Sequence, residues 1–145
     1  MASSKVYFTD MHTGQGSNLL QKMERLLRKA GLDRMDLDGK MVAVKLHFGE
    51  PGNLAYIRPN FAAVLVRMIK EKGGKPFLTD TKTMYIGSRH NAADHLITAI
   101  RHGVAYAVVD CPLIIADGLK GNDYQEVSID GGHFKSVRIA RGITD

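Results

Sequence analysis

Hydrophobic and polar positions follow two different periods along this chain. In three segments the apolar residues recur at the spacing of an amphipathic helix, and between them lie short runs of the β-branched and aromatic residues that are typical of strands. The resulting order is β-α-β-α-β-α-β followed by a hairpin. We therefore predict an α/β fold with a mostly parallel sheet, helices on its faces and a C-terminal β-hairpin.

The predicted strands of the parallel sheet are short. They comprise residues 5–9, 41–48, 75–80 and 108–116, the last of which contains Pro112. The hairpin is predicted from residues 126–129 and 134–140, because these flank the turn sequence Asp130-Gly131-Gly132-His133. Residues 1–145 are assigned to one domain.

The predicted helices carry boundary signals of their own. Ser17 is expected to cap the first helix, and Gly31 to end it in a left-handed conformation. Pro59 is expected to open the second helix. Asn91 is expected to cap the third helix, residues 92–102.

The composition excludes several classes of protein. Of the 145 residues, 44% are hydrophobic and 24% are charged, which are globular proportions. The apolar runs fall short of the roughly 20 residues that cross a bilayer, and no secretory signal opens the sequence. The single cysteine, Cys111, cannot hold an iron–sulfur cluster by itself and is predicted to be a small buried residue. The resulting expectation is a cytoplasmic protein without a membrane segment.

A net charge of +5 favours an anionic partner. The densest positive segment, residues 22–29, has the spacing of one solvent-exposed helix face and carries no aromatic residue that could stack on a base. The sequence therefore favours a small anionic molecule over a nucleic acid.

Polar side chains gather where the predicted strands end. Ligands of open α/β sheets bind beyond the carboxyl ends of the strands. The residues expected there are Asp10, His12, Lys45, His47, Asp80 and Thr81. Three strands lying side by side would bring these acids, imidazoles and an ammonium group to one pocket.

Lys45 is the most unusual of these residues. A lysine in the body of a buried parallel strand is costly unless an anion faces it, and Asp10 and Asp80 are its candidate partners. Two interpretations stay open, because Lys45 could form an internal ion pair that bridges the sheet or bind a ligand. If Lys45 binds a ligand, it neutralises an anionic group of that ligand and His47 exchanges a proton with it. Asp80, the third candidate catalytic residue, orients Lys45 and His47. The sequence does not decide whether the site is catalytic.

A divalent metal is a further candidate ligand. Imidazole and carboxylate groups bind such ions, and His47 with Asp80 would supply one of each. The spacing matches no specific metal-binding motif, and a lone histidine at a strand end is more often a hydrogen-bonded structural group.

A second group of polar residues surrounds the start of the third helix. Arg89, Asn91 and His95 are candidate ligand contacts, and His95 shares a helix face with Asn91. His90 and His102 are expected to be exposed. Residues 49–53 form either a lid or an ordinary connecting turn.

Several stretches of the sequence resemble the domain-of-unknown-function family numbered 362, whose members are often described as uncharacterised iron–sulfur centre proteins. They are residues 42–50, Asp80-Thr81 through Tyr85, Gly87, Arg89 and Asn91-Ala92, His95-Leu96 with His102-Gly103, and residues 115–119. The resemblance extends from about Lys5 to Ile143.

The resemblance implies no settled activity. Relatives are typically longer, and many carry a carboxy-terminal ferredoxin-like module with cysteine-rich motifs. By this resemblance the chain is the amino-terminal part of a longer family domain, without that module. An iron–sulfur cluster would then belong to a partner segment, since the sequence has one cysteine.

Two functions stand as alternatives at this point. The first is a binding site for a small anion or a metal at the carboxyl edge of the sheet. The second is a non-catalytic module that packs against an iron–sulfur segment in electron transfer. A second chain, including another copy of this one, is a further candidate partner.

Overall fold

The structure, a computed structural model, describes residues 4–144. Its helices are α1 (Leu19–Ala30), α2 (Pro59–Glu71), α3 (Ala92–Arg101), α4 (Tyr106–Val109) and α5 (Arg141–Thr144), with a 3-10 turn at Leu32–Arg34. Its strands are β1 (Met41–Lys45), β2 (Lys75–Asp80), β3 (Leu113–Ile115), β4 (Tyr124–Ser128) and β5 (Ser136–Ala140). None of the helices within residues 4–144 combines the length and the apolar character needed to cross a membrane.

Two separate sheets confirm the predicted α/β class. β1, β2 and β3 are parallel and lie in that order, with Val44 beside Leu78 and Leu78 beside Leu113. β4 and β5 are antiparallel with Val127 opposite Val137, so the predicted C-terminal hairpin is present. Because β1, β2 and β3 run in one direction, their carboxyl ends meet at the same edge of the sheet.

The predicted first strand, residues 5–9, is not a strand in the structure. Val6 and Phe8 are 90% and 83% exposed, and no backbone hydrogen bond within residues 4–144 joins this segment to β1. The segment has strand propensity, but propensity produces a strand only where a neighbouring edge accepts its hydrogen bonds. The parallel sheet of the described chain therefore has three strands instead of the predicted four.

Two other strands of the parallel sheet differ from their predicted bounds, and so do the hairpin strands, predicted at 126–129 and 134–140 and observed as β4 and β5. Residues 108–109 belong to α4, and only Leu113–Ile115 of the predicted strand 108–116 forms β3. Asp110 ends α4 with a φ of +56°, a left-handed conformation that aspartate tolerates better than most residues. β1 stops at Lys45 instead of continuing to residue 48, because its pairing with β2 ends there.

The helices begin and end close to the predicted bounds. α1 is capped by Asn18 instead of Ser17, and the Asn18 side chain accepts a hydrogen bond of 2.9 Å from an amide of the first turn. Gly31, with a φ of +113°, ends this helix as predicted. Pro59 opens α2, and Asn91 caps α3 by accepting a first-turn amide at 3.0 Å.

The core lies between the parallel sheet and the helices α2 and α3. Its buried side chains are Leu46, Phe48, Ala62, Val66, Leu78, Ala92, Ala99, Val104, Val109, Cys111 and Ile115. The burial predicted for Cys111 is thereby confirmed. Leu46 and Phe48 come directly after β1. Their burial therefore also fixes the start of the loop after β1, which carries polar residues.

β1 is an edge strand, and this position changes the environment of Lys45. Along β1, Val42 and Val44 are partly buried, whereas Lys45 is exposed. The Lys45 side chain is 62% exposed, so the expectation of a lysine inside a buried strand is wrong. The central strand of the sheet is β2, and its last five residues are all buried.

Candidate functional site

Asp80 lies at the centre of a group of charged side chains at the carboxyl edge of the sheet. It is the last residue of β2 and is 5% exposed. Its Oδ1 lies 3.5 Å from the Lys45 ammonium and accepts the Thr81 amide at 2.9 Å, while its Oδ2 accepts from Arg89 Nη1 at 3.2 Å. His95 Nε2 also lies 3.5 Å from Oδ2. We call the following residues the Asp80 cluster: Lys45, Glu50, Asp80, Tyr85, Arg89 and His95.

Arg89 joins Asp80 to a second carboxylate, on the loop that follows β1. The Arg89 side chain is 6% exposed. Its Nε donates to Glu50 at 2.7 Å and its Nη2 donates to the Tyr85 hydroxyl at 2.9 Å, and this hydroxyl donates in turn to Glu50. The planar guanidinium thus holds two carboxylates and a phenol at once, a geometry that a lysine cannot reproduce.

The Asp80 carboxyl is ionised despite its burial. Burial by itself would raise its pKa, but the His95 ring, the Thr81 amide and the Lys45 ammonium act against it, and the pKa lies below its ordinary value. A buried negative charge therefore lies beside a largely exposed positive one, because the side chains of Asp80 and Lys45 are 6% and 62% exposed.

Arg89 and Glu50 are charged as well. Burial would lower the pKa of Arg89, but its bonds to Tyr85 and Glu50 raise it instead. The Tyr85 hydroxyl lowers the pKa of Glu50 against the effect of burial, with a contribution from Arg89. The cluster thus contains two basic side chains, Lys45 and Arg89, and two carboxylates, Asp80 and Glu50.

His95 contributes a fully buried imidazole on α3. It is 0% exposed, and neither ring nitrogen has a hydrogen-bond partner in the described part of the chain. The 3.5 Å between its Nε2 and Asp80 exceeds an ordinary hydrogen bond, and its ring stands edge-on to Phe48 at 5.5 Å between centroids. The ring therefore fills the space between the Asp80 carboxylate and the apolar core.

The loop after β1 is anchored at the end of α3. His102, which the sequence predicted to be exposed, is partly buried. Its Nδ1 lies 2.7 Å from the Phe48 carbonyl oxygen, and its ring stacks on Tyr56 at 4.3 Å. Gly49 has a φ of +87°, and a side chain at this position would collide with His102. These contacts determine where Glu50 lies and make residues 49–53 an anchored turn.

Three site residues were missed from the sequence. Glu50 and Tyr85 belong to the Asp80 cluster, and Asp117 pins the loop after β2 by accepting the Lys82 amide with both carboxylate oxygens at 3.1 Å. Asp117 is 8% exposed. An acid shortly after a predicted strand was the available signal for Glu50 and Asp117, but the pairing of Tyr85 with Glu50 spans 35 positions and has no sequence signature.

The structure brings most of the predicted site residues to one place. Lys45, Thr81, Arg89 and His95 all contact or approach Asp80. Asn91 is the cap of α3. His90 is exposed, as predicted.

Asp10 and His12 are not brought to the Asp80 cluster. Asp10 forms an ion pair of 2.5 Å with Lys22 on α1, and Lys22 also donates to the His12 carbonyl at 2.7 Å. Asp10 and His12 are both exposed. Their expected position depended on residues 5–9 forming a strand beside β1, which the structure does not contain.

His47 faces its own loop. Its Nδ1 accepts the Gly49 amide at 3.0 Å, and no hydrogen bond or ion pair within residues 4–144 joins it to Asp80. The imidazole beside Asp80 is that of His95. His47 lies beyond the end of β1 and is exposed, whereas its neighbours Leu46 and Phe48 are buried in the core.

Within residues 4–144, no group of three or more His, Cys, Asp and Glu side chains is arranged to hold a metal ion. Asp80 already faces Lys45 and Arg89, two cations that would compete with a metal. Cys111 is fully buried, and burial raises the pKa of its thiol, which disfavours the thiolate that a metal or a cluster binds.

Comparison with known proteins places the chain in a family. The model of the family described as domain of unknown function (DUF362) matches residues 42–145, which is most of the chain. The chain belongs to this family. The match begins at residue 42, so the expected extension of the resemblance back to residue 5 is not part of it. No curated protein and no solved structure matches the chain.

Proposed function

We propose that this member of the DUF362 family binds a small anion, a carboxylate or a phosphate, at the carboxyl edge of β1 and β2. The observation that carries the proposal is the Lys45 ammonium, which is mostly exposed and lies 3.5 Å from the buried carboxylate of Asp80. In this function Lys45 contacts the ligand, and Asp80 positions Lys45.

The two cations of the Asp80 cluster have different tasks in this proposal. Arg89 is buried, and each of its three guanidinium nitrogens already donates to Asp80, Glu50 or Tyr85. Lys45 has three N–H donors and one acidic neighbour at 3.5 Å within the described chain. Lys45 can therefore turn toward a ligand without breaking the buried pair of Asp80 and Arg89.

His47 supplies a second donor on the same side of the chain. It follows Lys45 by two residues, and both side chains are exposed. Because Nδ1 accepts the Gly49 amide, the neutral ring carries its proton on Nε2. Positions two apart in an extended chain are separated by about 6.6 Å and point to the same face. An ammonium and an imidazole N–H on the same side of the chain can both donate to one phosphate or one dicarboxylate.

A purely structural ion pair is the competing explanation for Lys45. Arg89 already neutralises Asp80 from within the fold. Because the Lys45 side chain is 62% exposed, water screens its attraction to Asp80, and the pair contributes little to folding. Stability thus gives little reason for a lysine at this position, whereas ligand binding gives a direct one.

A titration with inorganic phosphate tests the proposal. We expect the backbone amide signals of residues 45–49 to shift in ¹⁵N–¹H correlation spectra, with a Kd in the millimolar range because one exposed ammonium supplies most of the charge. Lys45→Ala should abolish these shifts while the dispersion of the spectrum stays unchanged.

Lys75→Ala is the matched control. Lys75 is an exposed lysine at the opposite end of the parallel sheet, on β2, so its removal changes the net charge equally and leaves the site intact. The proposal is contradicted if the shifts survive in Lys45→Ala, or if Lys75→Ala removes them to the same extent.

A packing surface is the second candidate function. Met84 and Ile86, in the loop after β2, are 98% and 92% exposed, and Leu119 in the loop after β3 is 75% exposed. Neighbouring exposed apolar side chains are typical of interaction sites. In this alternative the chain packs through these loops against an iron–sulfur segment and serves electron transfer without catalysis.

Mixing the chain with a [4Fe–4S] ferredoxin tests the alternative. We expect the amide signals of residues 84–86 and 119 to shift on mixing, and the double variant Met84→Ser, Ile86→Ser to prevent this. Lys45→Ala should leave the effect unchanged. Signals that do not move on addition of the ferredoxin contradict the packing function.

A further inference from the structure

We infer that a groove between α1, α2 and the segment before α1 is a second binding site, which takes a single-chain amphiphile with a carboxylate head, such as a fatty acid. Two adjoining cavities of about 550 and 370 Å³ form this groove. They share the lining residues Met11, Leu19 and Phe61. None of the residues that line the groove belongs to the Asp80 cluster, so the inference is independent of the function proposed above.

Most of the exposed wall of the groove is apolar, and its polar lining residues are Thr13, Asn18, Arg58 and Asn60 in the larger cavity and Thr9, Asp10 and Lys22 in the smaller one. Leu19, Met23 and Leu26 line it from α1, and Ile57 and Phe61 line it from the start of α2 and the residues before it. Not one residue of α1 is buried, although this helix has a strongly amphipathic pattern. Such a helix normally buries its apolar stripe against a neighbour. The stripe of α1 therefore remains available to an apolar ligand along part of its length.

The size of the groove suits a small molecule. Ligand pockets in proteins commonly measure about 300–1,000 Å³. The larger cavity, at about 550 Å³, falls within this range, and the adjoining one extends it along α1. An elongated apolar space of this kind fits an alkyl chain better than a compact polar metabolite.

The charge at one end of the groove selects the head group. Arg58 lines the larger cavity, is exposed, and forms no side-chain hydrogen bond or ion pair within residues 4–144. No acidic residue lies in the first turn of α2 beside it. The lysine at the groove, Lys22, is already paired with Asp10. Arginine binds a carboxylate through two parallel hydrogen bonds, so Arg58 is placed to hold the head while the tail lies along α1.

Titration with dodecanoate below its micelle concentration tests the site. We expect binding of one molecule per chain by isothermal titration calorimetry, and shifts of the amide signals of Met11, Leu19 and Phe61. Shorter fatty acids should bind more weakly, by about two- to fourfold for each methylene removed, because each buried methylene adds to the hydrophobic contribution.

Arg58→Gln tests the head-group contact. The dodecanoate Kd should rise about tenfold or more, as expected for the loss of a charged hydrogen-bonded pair. Arg101→Gln is the matched control, because Arg101 is exposed at the end of α3 and does not line the groove. This control should leave the Kd unchanged.

Met11→Glu tests the groove without disturbing the core. Met11 is 71% exposed, so the fold does not depend on it, and a glutamate there would repel a carboxylate ligand. The matched control Met84→Glu places the same charge on a different loop, at a residue that is 98% exposed. Dodecanoate binding should weaken in the first variant and persist in the second.

Three results would overturn the inference. One is the absence of dodecanoate binding to the wild-type chain. Another is that dodecyl maltoside binds as tightly as dodecanoate and that Arg58→Gln leaves the dodecanoate Kd unchanged. The groove would then not recognise a carboxylate. The third is a dimer in sedimentation experiments that Met11→Glu dissociates, because the groove would then be an interface between two copies. None of these results bears on the phosphate titration of Lys45.

Discussion

The Asp80 cluster and the ion pairs between α1 and α2 use the same kinds of side chain in different surroundings. In the cluster, the side chains of Asp80 and Arg89 are each 6% exposed. Between the helices, Glu24 pairs with Arg28 and Arg67, and these side chains are 25% to 48% exposed. Both networks join segments that are distant in the sequence, but only the Asp80 cluster contains an ion pair that has been removed from water, that of Asp80 with Arg89.

Because the two networks differ in burial, they contribute differently to the stability of the fold. Exposed pairs gain little, because water and salt screen them and because long side chains lose entropy when they pair. A buried pair does not have to raise stability by forming, yet its disruption leaves a charge without compensation in the protein interior. The Asp80 cluster should therefore be sensitive to substitution, and the network between α1 and α2 should tolerate it.

Removing Arg89 should have the largest effect. Arg89→Ala leaves Asp80 and Glu50 without their shared cation, and we expect the free energy of unfolding to fall by about 3–5 kcal/mol. Urea unfolding followed by circular dichroism measures this loss. Arg89→Lys keeps the charge but loses the planar fork, so its loss should be intermediate. A loss below about 1 kcal/mol in Arg89→Ala would place the cluster with the exposed pairs.

Acid should weaken the Asp80 cluster through its carboxylates. The folded-state pKa of Asp80 lies below its ordinary value, so its ionised form stabilises the fold above the unfolded pKa, and this stability is lost as the pH falls through the folded pKa. We expect the free energy of unfolding to decline below about pH 4. Asp80→Asn, measured over the same pH series, should show a shallower decline in the free energy of unfolding. An identical decline in both proteins would contradict the assignment of this acid sensitivity to Asp80.

Removing Arg67 should have the smallest effect. Arg67 pairs with Glu24 and Glu71 on the exposed surface of α1 and α2. Arg67→Ala should lower the free energy of unfolding by about 1 kcal/mol or less, and 1 M salt should reduce the difference from wild type. Urea unfolding at low and high salt provides the measurement. A loss as large as that of Arg89→Ala would mean that burial does not separate the two networks.

The sequence predicted the elements whose signals are local. The cap at Asn91, the glycine at the end of α1 and the proline at the start of α2 all act within one helical turn, and the structure has each of them. The strand Lys75–Asp80 was predicted with its observed bounds, because a short apolar run ending in polar residues is enough to mark it.

The predictions failed where pairing partners decide the outcome. Residues 5–9 have the composition of a strand, but no sheet edge accepts them in the described chain. Residues 108–109 are apolar and β-branched, yet they lie in a short helix that ends at Asp110. Local propensity cannot distinguish these cases, because the competing structures differ in their long-range contacts.

For the candidate site, the sequence predicted the kinds of side chain better than the particular residues. Lys45 and Asp80 were expected to face each other, and they do, at 3.5 Å. The expected imidazole was that of His47, whereas His95 lies beside Asp80. Glu50 and Tyr85 were not foreseen, because the bonds that join them to Arg89 depend on how two loops meet.

The sequence by itself determined the helices α1, α2 and α3, the segment that forms the central strand, and the gathering of acids and cations at the carboxyl end of that strand. Each of these properties depends on neighbours along the chain. The tertiary structure alone decided that β1 is an edge strand, which exposes Lys45, and that Arg89 and His95 are buried beside Asp80. Burial and charge pairing arise only when segments far apart in the chain pack together, and no local pattern encodes which of them will meet.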